Sequence, residues 1–138
     1  MKDVIFDDFQ NSVCESLLRH RSILDIMTKL QESEARINRA VAKSVTTCGC
    51  VTVEAIKPQN QIDKDDMDMD MDMETLKNRL QTHMKGSLCD NCRDVLEGEI
   101  GNNLFYLTSL CNLLNLNLYD ILLKEYEKIN TLGQFTLR

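Results

Sequence analysis

The sequence predicts an all-α fold, on three observations. One proline and five glycines in 138 residues leave too few turn formers for a β-sandwich. Apolar residues recur at helical spacing over several long stretches. Aromatic residues make up 5% of the chain and tryptophan is absent, so the core must come from Leu, Ile and Val packed between helices.

The first stripe is Phe6, Phe9, Val13 and Leu17, at i, i+3, i+7 and i+11, widened by Leu18. Ser22 is the expected N-cap of the next helix, with Asp25 three residues on as in a weakened capping box. Ile23, Ile26, Met27, Leu30, Ile37, Val41 and Val45 carry the period toward Thr46-Thr47, and Gly49 supplies the turn in Cys48-Gly49-Cys50. Val51 to Ala55 alternates and is β-branched, which predicts a short extended segment. Pro58 to Gln61 breaks order, and the Asp-Met run behind it is low in complexity. Residues 58–73 are therefore expected to form a disordered acidic loop. A short helix is expected from Met73 to Met84, with Asp72 as its cap, Leu76 and Leu80 inward, and Gly86-Ser87 as its stop.

After Cys92, the residues Val95, Leu96, Ile100, Leu104, Phe105, Leu107, Leu110, Cys111, Leu113 and Leu114 cover most of a helix circumference. Such a helix is buried on several sides. The few helices of one chain cannot cover it all, so a homodimer or higher homo-oligomer is expected. Asn115-Leu116-Asn117 is a turn, Asn117 caps, and Leu118, Ile121, Leu122, Tyr126 and Ile129 form a last helix ending near Gly133. No repeat divides the chain. Residues 1–138 read as one helical domain interrupted by a cysteine-bounded insert, 48–92.

Charge narrows the function. Residues 63–74 hold seven acids against Lys64 and account for the whole net charge of −6. The remainder is balanced and offers no basic field to nucleic acid or anionic lipid. No apolar run approaches the ~20 residues that cross a bilayer, and the N-terminus carries acids where a signal peptide has its apolar stretch. The expectation is a cytoplasmic chain with neither membrane nor nucleic acid as partner.

Six cysteines fall into two kinds. Cys14 and Cys111 sit among apolar residues and read as small buried hydrophobes. Cys48, Cys50, Cys89 and Cys92 form a C-x-C and a C-x₂-C pair separated by 38 residues. Two short-spaced pairs on tight turns can supply the four soft donors of a tetrahedral ion about 2.3 Å away. Structural zinc is the favoured occupant. An iron–sulfur cluster is chemically open to four cysteines, His83 could replace one ligand, and free thiols would make a redox or metal sensor. Four thiolates leave no open position for catalysis, so the ion should staple the segment ending near residue 47 to the helix starting near residue 92.

Polar residues interrupt two apolar stripes: Glu34 and Asn38 ahead of Val41 and Val45, and Glu99 and Asn102 between Val95 and Tyr106, with Asn103 adjacent. A buried carboxylate needs a cation, donors or a wet cleft. Glu97 to Leu107, followed by Leu110 to Leu118, resembles the second half of the MazG-like nucleotide pyrophosphohydrolases. The resemblance implies an all-α bundle, usually oligomeric, in which E-E-x-x-E on one helix and E-x-x-D on the next hold Mg²⁺ ions that grip a nucleoside triphosphate. Glu99 matches the first acid of E-x-x-D, and Asn102 stands in place of its Asp. On the earlier helix Glu34 matches an acid, whereas Ala35 and Asn38 replace two others. An amide can ligate Mg²⁺ but brings no charge, so Glu34, Asn38, Glu99 and Asn102 are expected to line a degenerate nucleotide cleft in a protein that no longer catalyses. If it were active, it would convert a nucleoside triphosphate to monophosphate and pyrophosphate with Mg²⁺.

Overall fold

The computed structural model describes residues 2–17, 21–57 and 80–133. Among them are four α-helices, α1 (Lys2–Ser16), α2 (Ile23–Lys43), α3 (Asp90–Leu113) and α4 (Leu118–Leu132). One two-stranded sheet joins β1 (Val51–Val53) to β2 (Met84–Gly86). The all-α expectation holds. The chain divides into two compact units, one of residues 1–40 and 94–138, the other of residues 41–93.

In the first unit, α1 buries Val13 and half-buries Phe6 and Gln10, and Leu17 just beyond its end is half-buried too. The true inward stripe thus swaps Phe9 for Gln10, and Phe9 is exposed. Gln10 is polar but fully used. Its Nε2 donates to the Leu116 carbonyl at 2.7 Å, and its Oε1 accepts from the Leu118 N–H at 3.0 Å. The Asn112 amide reaches the Gln10 carbonyl at 3.1 Å, and Phe6 meets Tyr119 with ring centroids 6.0 Å apart. Together these fix α1 to the turn between α3 and α4. Cys14 was expected to be buried and is exposed. It sits one residue past Val13, about 100° round the helix, and so faces away from the buried stripe. Cys111 is buried as expected.

Ser22 begins α2 as foreseen, its Oγ accepting from the Leu24 N–H at 3.3 Å. The inward face runs Ile26, Leu30, Ser33, Ile37 and Ala40, a 4-3-4-3 helical spacing. Ser33 can be buried because its hydroxyl donates to the Leu30 carbonyl at 2.7 Å and accepts from the Asn103 amide at 3.0 Å. On α3, Thr108 and Ser109 are fully buried and satisfy themselves by donating one turn back, to Leu104 and Phe105. Asn117 caps α4 through its Oδ1 and the Asp120 N–H, 3.0 Å apart, and Gly133 closes it by donating to the Ile129 carbonyl.

The second unit opens where α2 loosens into a π-helical turn, Ser44–Cys48. Gly49 ends that turn in the left-handed conformation (φ 79°), its N–H bonded to the Ser44 carbonyl at 2.9 Å. β1 then pairs antiparallel with β2, Val51 opposite Gly86 and Val53 opposite Met84. The segment expected to be helical as far as Met84 is therefore extended at its end. His83 has φ 62°, its carbonyl accepts from the Glu54 N–H, and its Nδ1 accepts from the Ile56 N–H at 3.1 Å. Those bonds commit it to a strand partner. The earlier part of the expected helix and the acidic loop 58–73 lie outside the described residues. Gly86 admits no side chain, since a Cβ there would stand 2.6 Å from the Cys50 carbonyl oxygen.

Candidate metal centre and ligand cavity

All four paired cysteines lie in the second unit, and local structure explains how each is delivered. The π-helical turn, one residue wider than an α turn, ends on Cys48, and Gly49 reverses the chain so that Cys50 enters β1. Beyond β2, Cys89 stands at the N-cap of α3. Its carbonyl accepts from the Arg93 N–H at 2.9 Å, and its Sγ accepts from the Cys92 N–H at 3.4 Å. That is the bond an N-cap side chain makes, here made by a sulfur. Cys92 follows in the first turn of the same helix.

The four Sγ atoms all lie within 4.8 Å of one another. Cys48 and Cys89 are 3.7 Å apart. A tetrahedron with arms of 2.3 Å has edges of about 3.8 Å, so the cluster is close to the size that zinc requires. The Cys92 N–H and thiol draw Cys89 down to about 7, and Cys89 in turn pushes Cys92 up to about 12. An ion bound by all four sulfurs would supply structural cross-linking and nothing reactive, because a closed thiolate set leaves no coordination position free. His83 is not part of the cluster, its Nδ1 being used by Ile56.

The first unit holds a cavity of about 220 Å³ between α2 and α3, lined by Lys29, Glu32, Ser33, Arg36, Asn102 and Tyr106. Glu32 sits between two cations, with Lys29 Nζ at 3.3 Å and Arg36 at 3.1 Å, and these hold its carboxyl below the usual range. Lys29 also stands 6.0 Å from the centre of the Tyr106 ring. Of the four residues expected to line a cleft, Asn102 lines this cavity. Asn103 anchors the wall through Ser33. Glu99, one turn earlier, is half-buried, and its Oε2 is sealed from water with no hydrogen-bond partner among the described residues. Glu34 and Asn38 do not line the cavity and are exposed.

The sequence reading missed Lys29, Glu32, Ser33 and Arg36. The signal that finds them is the inward series of buried Ile26, buried Ser33 and half-buried Ala40, which sets the helix register one residue away from the Glu34–Val41 line. Comparison with family models, curated proteins and solved structures finds no match to this chain.

Proposed function

We propose that this is a zinc-stapled helical protein of MazG-like descent that binds a phosphorylated small molecule, a nucleotide in the first instance, without hydrolysing it. The observation that carries this reading is the charge of the α2–α3 cavity. Read from Glu32, the spacing i, i+1, i+4 of an E-E-x-x-E motif falls on Glu32, Ser33 and Arg36, all three of which line the cavity. A Mg²⁺-dependent hydrolase needs several carboxylates to hold its ions. Here one acid is a serine, another is an arginine, and the remaining Glu32 is already gripped by Lys29 and Arg36. Hard dications lose their ligands in such a set. Phosphate oxygens gain a guanidinium with spare donors and an ammonium, and Asn102 and Tyr106 add a polar edge and an aromatic face.

The rival reading, a working nucleoside triphosphate pyrophosphohydrolase, has one observation in its favour: the unsatisfied Glu99 oxygen, which a cation would satisfy. A nucleotide panel separates the two. Purified protein should carry about one zinc per chain by elemental analysis. Nucleoside triphosphates should raise its melting temperature equally with added Mg²⁺ and in Mg²⁺-free buffer, and no pyrophosphate should appear. Mg²⁺-dependent pyrophosphate release would establish the rival, and the absence of any thermal shift would reject both. Four fast-reacting thiols with no bound metal would favour a thiol sensor.

A further inference from the structure

We propose that a second cavity, framed by α1 and the α3–α4 turn, binds a guanidinium group carried by a small molecule or by an arginine of a peptide. It shares no residue with the α2–α3 cavity or the cysteine cluster, so it stands whether or not those take a nucleotide or zinc. Its volume is about 360 Å³, and it lies wholly within the helical unit. Asp7 and Asn11 line it from α1, Asn112 from the last turn of α3, and Asn115 and Leu116 from the turn beyond.

Hydrogen bonding decides which atoms are free. Asn112 donates its amide N–H to the Gln10 carbonyl at 3.1 Å, so its Oδ1 is the end left over. Asn117 accepts the Asp120 N–H through its Oδ1 and turns its own amide N–H to Asp7 Oδ1, 3.3 Å away. The second Asp7 oxygen has no partner among the described residues, and neither has the side chain of Asn11 or of Asn115. Gln10 spends both ends of its amide on Leu116 and Leu118 and serves as wall. Asn115 is explained by the left-handed backbone of its turn (φ 58°). Asn11 is not, since it stands inside α1 and asparagine is a poor helix former.

Charge selects a cation. No lining residue is basic. The last turn of α3 holds no basic residue either, so the negative end of that helix meets no cation of its own. Where α4 begins, Asp120 in its first turn offsets the positive end. A bare metal ion suits the site poorly. Ca²⁺ collects about six to eight oxygens at ~2.3–2.6 Å and draws its affinity from several carboxylates, whereas the lining has Asp7 as its single acid and more room than an ion fills. Between organic cations, an ammonium has three N–H donors and a guanidinium five in a flat fork. Asp7 and the amide oxygens of Asn11, Asn112 and Asn115 offer more free acceptors than an ammonium can use. Leu116, the one apolar residue of the lining, can cover the aliphatic stem that carries the group.

A titration of the zinc-loaded full chain with N-butylguanidinium, followed through the NMR signals of the side-chain amides, is the test. Asn11, Asn112 and Asn115 should shift together and saturate, while Asn102 in the α2–α3 cavity stays where it is. Asp7→Asn should weaken binding about tenfold or more and leave the remaining spectrum in place, because an amide keeps the shape of this exposed side chain. If that variant does not fold, Asn11→Ala at another exposed position replaces it, with an expected loss of about threefold. A capped arginine peptide that binds more tightly than butylguanidinium assigns the group to a protein partner, and the reverse order assigns it to a small molecule. Equal shifts from n-butylammonium or from Ca²⁺ at the same concentration overturn the proposal. So does an Asp7→Asn protein that binds unchanged, or a titration in which none of the three asparagines moves.

Discussion

A carboxyl oxygen closed off from water with nothing to bond among the described residues, as at Glu99, costs a fold on the order of 1–3 kcal/mol. Glu99→Met keeps the length of the side chain and removes that oxygen. Urea unfolding of the ligand-free protein should show a gain of about 1–3 kcal/mol. A variant less stable than the parent would mean that Glu99 has a partner in solution. Gly86→Ala tests the opposite case. With φ at 84° and a Cβ directed at the Cys50 carbonyl, it should cost about 1–3 kcal/mol and weaken metal retention against a competing chelator. At this scale the sequence was most informative where chemistry is local. The spacing of Cys48-Gly49-Cys50 and of Cys89 to Cys92 marked the four sulfurs that the fold brings together. Lys29 and Arg36 carried no such mark, because a charged residue on an amphipathic helix is ordinarily a solvated one and only the register of Ile26 and Ser33 turns them toward α3.

Helix ends were legible for a related reason. Ser22, Asn117 and Gly133 each do what their residue type does best, and each was readable in place. β2 was not. Met84–Gly86 has no β-branched run, and its strand form depends on partners across the chain at Val51 to Glu54 together with the left-handed backbone at His83. Phe9 was taken for a core residue and Gln10 was not, since nothing in the local pattern reveals that Gln10 will meet the backbone at Leu116 and Leu118. That clamp supplies the test at the level of elements. Gln10→Ala removes two hydrogen bonds and leaves two backbone groups to find water, so unfolding in urea should show a loss of about 1–3 kcal/mol with an unchanged denaturant slope. Gln10→Glu keeps the acceptor for Leu118 and loses the donor to Leu116, and should fall between the two.

Across the molecule, the two units differ in what sustains them. In residues 41–93, Val51 and Ser44 are the buried side chains among those described, far less than a unit of that size needs to hold itself together. A metal held by the four sulfurs would supply the rest. Stripping zinc should therefore collapse hydrogen-exchange protection at residues 44–53 and 84–92 while amides in α1 and the buried part of α3 remain slow. Protection that survives chelation unchanged would show that the sulfurs are ornamental. The helical unit is discontinuous, assembled from residues 1–40 and 94–138, and the cysteine unit is complete within one uninterrupted stretch. On the ribosome this imposes an order. Once Cys92 has left the exit tunnel the thiol unit has every group it requires, while α1 and α2 still wait for helices not yet translated. Zinc availability would then act on the nascent chain first, and a cell short of the ion would release a polypeptide whose earliest folding step had failed before its helices could meet.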